Sequence, residues 1–564
     1  MHSLLAGGFL ASLLLLSLSL LFPTSFSLAV SIWIALLVMC AGLRIEHERR
    51  TRPVVDLSGG VYARLPKLFA AYIAFACLIP IARLLDGSAA APVLAAAAAV
   101  LGIYGLGGLA YMAGNGPMRH AFAGVTNLVM HRRPERFGFG RSTGLKALNL
   151  DSDPLGVAKL VDFTIPQLAS FDACVQCGRC EVACPAFAAG LPLNPKKLIN
   201  DLAESLRGEG ATSYAGNGYP GFGAGEGSFS GLPLIFKDGH VSLAPETIWS
   251  CTTCRACVEA CPMMIEHVDA IVDIRQAQTM QSGVVAPHVQ KVLENLRETD
   301  TQCGRELSAR FDWAADLGLE VIRERYAIEA LLWVGESAFD RRAQRTMRSL
   351  IKLMIRAGLK PVILGDLERD TGDQARRLGD EATFQRLAKA NIQTLNRFDF
   401  KYIVTADPHV LHAIRNEYPA LGGTFTVRHH TELLAELIEA GRLGEVSKLD
   451  SRITYHDPCY LGRYNGEFDA PRRILQRLSA DFVEMEKARS NSHCCGGGGG
   501  APLADVSGKR RIPDMRMEQV ENTGAGCVAV ACPSCTAMLE GVTKASASVM
   551  DIAELLEASL EARA

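Results

Sequence analysis

Cys174-Val-Gln-Cys177-Gly-Arg-Cys180-Glu-Val-Ala-Cys184-Pro185 and Cys251-Thr-Thr-Cys254-Arg-Ala-Cys257-Val-Glu-Ala-Cys261-Pro262 are two complete copies of C-x2-C-x2-C-x3-C-P. Three cysteines at that spacing wrap three iron corners of one cubane. The fourth, carried onward by a helical turn, reaches a neighbouring cluster. The expected ligand sets are therefore crossed: Cys174, Cys177, Cys180 and Cys261 for the first [4Fe-4S] cluster, and Cys251, Cys254, Cys257 and Cys184 for the second. Structural zinc would use the C-x2-C pairs but has no use for the third cysteine or the C-P extension.

The segments Pro195 to Leu206 and Val268 to Gln281 read as helices, so residues 151–325 are expected to form an α-helical double [4Fe-4S] domain. Its insertion, 207–240, contains the run Tyr214 to Gly227. That run neither follows a strand pattern nor opens a helix, so it reads as a linker rather than a phosphate loop. The chain holds 17 cysteines among 564 residues, mostly at C-x-x-C spacing. This is a metal-binding pattern rather than a disulfide framework, and its thiolates call for a reducing compartment.

Upstream, Leu4 to Phe22, Phe26 to Leu43, Leu68 to Leu85 and Ala89 to Met112 are apolar stretches close to the roughly 20 helical residues that span a bilayer. A cleaved signal peptide fits the first stretch poorly, because no Lys or Arg precedes it. Residues 1–115 are thus expected to be a four-helix transmembrane anchor and 116–150 a cytoplasmic linker. Arg44, Arg49, Arg50, Arg52 and Arg64 follow the second stretch, and Arg119, Arg132, Arg133, Arg136 and Arg141 follow the fourth. Basic loops stay on the cytoplasmic side, so both termini and every cysteine motif should face the cytoplasm of a bacterial inner membrane. His2, His47, His120 and His131 lie at or beyond the ends of the stretches, which favours a diffusible quinone over a bound haem as the membrane-phase acceptor. The net charge of −2 gives no reason to expect nucleic acid.

From Tyr326, short apolar runs alternate with amphipathic segments: Ala330 to Val334, Pro361 to Leu364, Tyr402 to Thr405, Arg452 to Tyr455 and Cys527 to Ala531. Two α/β units are expected, 326–447 and 448–564. The second holds Cys459, Cys494-Cys495-Gly496 and Cys532-Pro-Ser-Cys535. Gly496 to Gly500 is read as backbone passing close to a cluster. In the first unit, Thr405-Ala-Asp407-Pro408-His-Val410 lines up with Val530-Ala-Cys532-Pro533-Ser-Cys535, and Asp370-Thr371-Gly372, more loosely, with Cys494-Cys495-Gly496. Ser337 stands where Cys459 is expected. The first copy has the frame without the ligands. Asp407 reads as a structural cap, Cys40, Cys77, Cys303 and Cys527 as incidental thiols, and His429, His430, His456 and His493 as structural histidines.

On these residues the 174–262 region resembles the helical ferredoxins of succinate dehydrogenase and related complexes. The cysteines from Cys459 to Cys535 resemble the CCG domain of heterodisulfide reductase and of glycolate or lactate oxidase iron-sulfur subunits. Trp249 to Pro262, Ile453 to Gly466 and Ala375 to Asn391 resemble the dimethylglycine-catabolism iron-sulfur proteins, which share the whole layout. The resemblance implies a multi-domain membrane-bound protein with a third iron-sulfur cluster at Cys459, Cys494, Cys495, Cys532 and Cys535, a non-cubane [4Fe-4S] form being among its alternatives. It implies an oxidoreductase that passes electrons from an electron-transfer flavoprotein, or a flavin-dependent demethylase or dehydrogenase, to quinone. The alternatives are the iron-sulfur subunit of a hydroxyacid (glycolate, lactate or glycerol-3-phosphate) dehydrogenase, a heterodisulfide reductase-like enzyme, and a redox sensor. No acid-base or nucleophile constellation is read, and the quinone site is not legible.

Overall fold

The structure, a computed structural model, describes residues 2–23, 25–51, 63–115, 117–131, 143–205, 214, 216–221, 243–283, 285–323 and 327–561. Arg52, Arg132, Arg133, Arg136, Arg141 and most of the 207–240 insertion lie outside them. The chain divides into two compact units. The first is Met1–His131, Leu168–Gly178 and Ala211–Asn217; the second is Arg132–Gln167, Arg179–Gly210 and Gly218–Ala564.

The first unit is built on four long helices, α1 (His2–Leu21), α2 (Phe26–Thr51), α3 (Leu65–Leu84) and α4 (Ala90–Asn115). At 1.5 Å per residue each reaches about 30 Å or more, the thickness of a hydrocarbon core. Leu14, Leu37, Val100 and Ile103 point outward with most of their surface exposed. Such apolar faces suit lipid and not water, and the protein is membrane-associated. α2 and α4 exceed the apolar stretches read from sequence. Helix α4 lies close on α3 because Gly102, Gly105 and Gly108 offer no side chain there. A Cβ on Gly105 would stand 2.7 Å from the Tyr72 amide nitrogen. Buried Tyr72 in turn bonds Ser12 of α1 at 2.8 Å.

In the second unit short helices such as Arg179–Ala183 and Ala256–Ala260 precede two parallel sheets. The five-stranded sheet contains β1 (Glu320–Val321), β2 (Ile328–Trp333), β3 (Val362–Ile363), β4 (Phe400–Thr405) and β5 (Val427–His429), in the order β1-β3-β2-β4-β5. The four-stranded sheet contains β6 (Ile453–Tyr455), β7 (Phe482–Val483), β8 (Cys527–Val530) and β9 (Ser548–Asp551), in the order β7-β6-β8-β9. The order β3-β2-β4-β5 repeats as β7-β6-β8-β9, so the internal duplication read from sequence is a duplication of topology. The two sheets share one continuous apolar core in which Leu331, Leu350, Val404 and Leu434 join Ile453, Ile474 and Leu555. Strands buried on both faces read as plain apolar runs, which is why β2, β4, β6 and β8 are legible in sequence.

The stretch expected as a linker carries structure. It contains the helix His120–Val129 in the first unit. In the second unit Thr143 Oγ1 donates to the Tyr464 carbonyl at 2.7 Å, and the Leu145 and Leu148 amides donate to Glu417 and Glu381.

Candidate metal centres

Both ferredoxin-type motifs curl in the same way. The residues two and four places after the first cysteine are left-handed in each copy: Gln176 (φ 48°) and Gly178 (φ 77°), Thr253 (φ 49°) and Arg255 (φ 58°). For β-branched Thr253 this conformation is costly, of order 1–3 kcal/mol. It turns the Thr253 amide onto Cys251 Sγ at 3.3 Å. The fourth cysteine of the first motif, Cys184, caps the helix Pro185–Ala188 and accepts the Phe187 amide at 3.5 Å.

Cys184, Cys251, Cys254 and Cys257 line one enclosed cavity of about 20 Å³, closed by Pro185, Leu193, Val268 and Ile271. Burial pushes the Cys251 thiol up to about 11 and raises Cys184 and Cys257 further. Four buried thiols without a carboxylate among them are a soft, cation-seeking donor set. In donor type and number the set fits an iron-sulfur group. Of the other expected set, Cys174 and Cys177 belong to the first unit and Cys180 and Cys261 to the second.

The CCG cysteines converge from three loops. Cys459 follows β6, Cys494-Cys495 lie between Asn491 and Gly496, and Cys532 precedes the helix Pro533–Glu540 that carries Cys535. All five are buried. Their sulfurs pack in one buried cluster with Cys254; the neighbouring Cys254 and Cys459 thiols lower the Cys494 pKa, and those of Cys494 and Cys535 lower that of Cys495 well below the usual thiol range. The Gly496 and Gly497 amides add N–H donors to these two sulfurs at 3.3 and 3.4 Å. A buried set of five thiols also fits an iron-sulfur group.

Sequence reasoning missed that Cys254 of the second motif touches Cys494, so the two donor sets are adjoining. It also assigned Gly496 to Gly500 to cluster proximity alone. A Cβ on Gly498 would come within 2.6 Å of the Thr252 carbonyl oxygen, and one on Gly499 within 2.8 Å of that of Cys251. The loop therefore closes on the backbone of the second motif. Arg275, wholly buried, fastens this junction by donating to the carbonyls of Ile248, Cys251, Arg377 and Gly499 at 2.7–2.9 Å.

The emptied copy keeps its cavity. Ser337, Thr371 and Asp407 line a space of about 240 Å³ together with Glu336, Asp370, Asp373, His409 and Trp333. Asp370 takes the local role of Cys494: its Oδ1 accepts the Gly372 amide at 2.6 Å, as Cys494 Sγ accepts that of Gly496. Asp407 Oδ1 caps the helix Pro408–His412 by accepting the His409 amide at 2.8 Å. Burial, then the nearby Asp370 carboxylate, pushes Glu336 up to about 8. A carboxyl raised in the folded state stabilises below its ordinary value of about 4.3, and that contribution is lost as pH climbs through 8. Glu336→Gln is therefore expected to flatten the fall in melting temperature between pH 5 and pH 8. An unchanged profile would show that Glu336 is not the titrating group.

His429 bonds Thr431 at 2.7 Å and His430 bonds Asp551 at 3.1 Å, both structural arrangements. His493 bonds the Cys494 carbonyl through Nδ1 at 3.1 Å, and His456 is held by Arg516 at 3.0 Å, both beside the CCG cysteines.

Helical ferredoxin motifs, a duplicated cysteine-rich α/β region and a helical membrane anchor together define an iron-sulfur electron-transfer oxidoreductase. A family described as a cysteine-rich domain matches residues 332–415 and 453–540. A 4Fe-4S dicluster domain matches 170–265, and a domain of unknown function matches 1–153. A protein of Chromohalobacter salexigens named "Probable membrane-anchored ferredoxin" is 50% identical, over 93% of this chain and 81% of its own length. The "Probable iron-sulfur-binding oxidoreductase FadF" of Bacillus subtilis is 36% identical, over 78% and 66%. The "EtfAB:quinone oxidoreductase" of Syntrophomonas wolfei is 34% identical, over 73% and 61%. The chain belongs to the CCG-domain iron-sulfur family that includes the Chromohalobacter membrane-anchored ferredoxin.

Proposed function

We propose that the protein is a flavoprotein:quinone oxidoreductase, or the electron-transfer subunit of one. It accepts electrons from an electron-transfer flavoprotein, or directly from a flavin-dependent demethylase or dehydrogenase, and delivers them to the quinone pool of a bacterial inner membrane. The donor and acceptor follow the name of the Syntrophomonas relative. Two [4Fe-4S] clusters are assigned to Cys174, Cys177, Cys180 and Cys261 and to Cys184, Cys251, Cys254 and Cys257. A third group is assigned to Cys459, Cys494, Cys495, Cys532 and Cys535. The proposed topology is multi-pass, with both termini and all the cysteine motifs cytoplasmic.

The observation that carries this reading is the packing of Cys254 in one buried cluster with the five CCG cysteines, since adjoining donor sets are what a relay requires. When bound, the iron-sulfur groups supply one-electron carriers. The chain's own residues bury them, exclude water and donate amide hydrogens to the sulfurs. A reductase that cleaves a disulfide between two facing CCG clusters is disfavoured, because Ser337, Asp370, Thr371, Asp407 and Val410 stand where the first copy would need thiols.

Reduced electron-transfer flavoprotein is expected to bleach the visible iron-sulfur absorbance of the purified protein, and a ubiquinone analogue is expected to restore it. Absence of quinone-dependent turnover with any flavoprotein donor would exclude this function.

A further inference from the structure

Two buried side chains, Arg516 and His456, stand behind the CCG cysteines. Arg516 lies on the helix Ile512–Glu521. Its Nη1 donates to the Lys487 carbonyl at 2.9 Å and to Gln519 Oε1 at 2.6 Å, and its Nη2 donates to Ser492 Oγ at 3.2 Å. Its Nε donates to His456 Nδ1 at 3.0 Å. A guanidinium has no acceptor, so Nδ1 of His456 must present its lone pair and the ring proton must sit on Nε2. That Nε2 is buried and has no hydrogen-bond partner among the described residues. A ring nitrogen of His456 and the sulfurs of Cys495 and Cys535 all lie within 4.8 Å of one another. With Nδ1 taken by Arg516, Nε2 is the nitrogen left for that side.

The trio has the spacing of a metal site, but the tautomer argues against ligation. A metal would need the Nε2 lone pair, which would move the proton to Nδ1 and set two N–H donors against each other in a buried place.

Resting on the assignment of an iron-sulfur group to the CCG cysteines, we propose that His456 donates a hydrogen bond from Nε2–H to the sulfur of that group and does not ligate its iron. Arg516 is the positioning residue that fixes the tautomer. Donation to sulfur and a fixed positive charge behind it both favour the reduced, more negative state. The pair therefore raises the reduction potential of this centre, which makes it the electron-accepting end with respect to the adjoining second motif.

The test is a redox titration of the full-length protein followed by electron paramagnetic resonance. His456→Leu is expected to lower the midpoint of the CCG-associated signal by a tenfold change in equilibrium constant, about 59 mV for one electron. Iron content and the two ferredoxin-type signals should not change. His456→Gln, which keeps an N–H donor, is expected to recover part of the shift. In the unaltered protein, electron spin echo modulation should show only weakly coupled histidine nitrogen, a readout that needs no variant to fold. An unmoved midpoint in His456→Leu, nitrogen coupling of the strength of a direct iron ligand, or loss of CCG iron in both variants would overturn the proposal. Absence of a third signal in the unaltered protein would instead remove the cluster assignment on which it rests.

Discussion

Arg275→Met is expected to destabilise the second unit by about 4 kcal/mol, a larger effect than ordinary core substitutions produce. The side chain is wholly buried and lies over the Trp249 ring at 4.7 Å. Its N–H groups satisfy four carbonyls from four separate places: the end of the helix Pro245–Trp249, Cys251 of the second motif, Arg377 of the emptied copy and Gly499 of the glycine loop. Methionine fills much of the volume but leaves those oxygens buried without their donor, at roughly 1–3 kcal/mol each before relaxation. Lysine recovers only part, because one ammonium cannot span the fork. Urea unfolding should show a lower midpoint with an unchanged slope. A midpoint within error of the parent would mean that the carbonyls find other donors.

Cys254→Ser is expected to disturb two centres where its counterpart in the first motif, Cys177→Ser, disturbs one. Serine is a poor iron ligand, so either change should cost the iron and sulfide of one cubane, about four of each per chain. Cys254 also packs in one buried cluster with Cys494 and the other CCG cysteines. Its loss should therefore shift the CCG-associated resonance and its potential as well. Metal and sulfide analysis with electron paramagnetic resonance separates the cases. If Cys254→Ser leaves the CCG signal as Cys177→Ser does, the contact has no part in communication between the centres.

The chemistry of this protein was largely legible in its sequence because it is written in spacing. Two complete cysteine motifs, four apolar stretches and the CCG cysteines each depend on local pattern, and so does the comparison that places Asp407 opposite Cys532. Long-range closure was not legible. Nothing local announces that Gly498 meets Thr252, that Arg275 needs carbonyls from Arg377 and Gly499, or that Thr143 reaches Tyr464. The left-handed Thr253 runs against its intrinsic preference, so propensity points the wrong way. Strands β1, β5, β7 and β9 are short and include exposed or half-buried positions, so no plain apolar run marks them. The His456 tautomer depends on Arg516, sixty positions away, and only the folded chain brings them together.

The closure of the glycine loop on Thr252 and Cys251 bears on how the protein is made. The second motif leaves the ribosome long before the loop that shuts it, and chains emerge and fold from the N-terminus onward. Iron delivery is therefore expected to meet Cys251, Cys254 and Cys257 while that side is still open. In the folded chain Gly498 and Gly499 lie against the Thr252 and Cys251 carbonyls, and Arg275 binds the Gly499 carbonyl. The order of the genetic message is then expected to be the order of metallation.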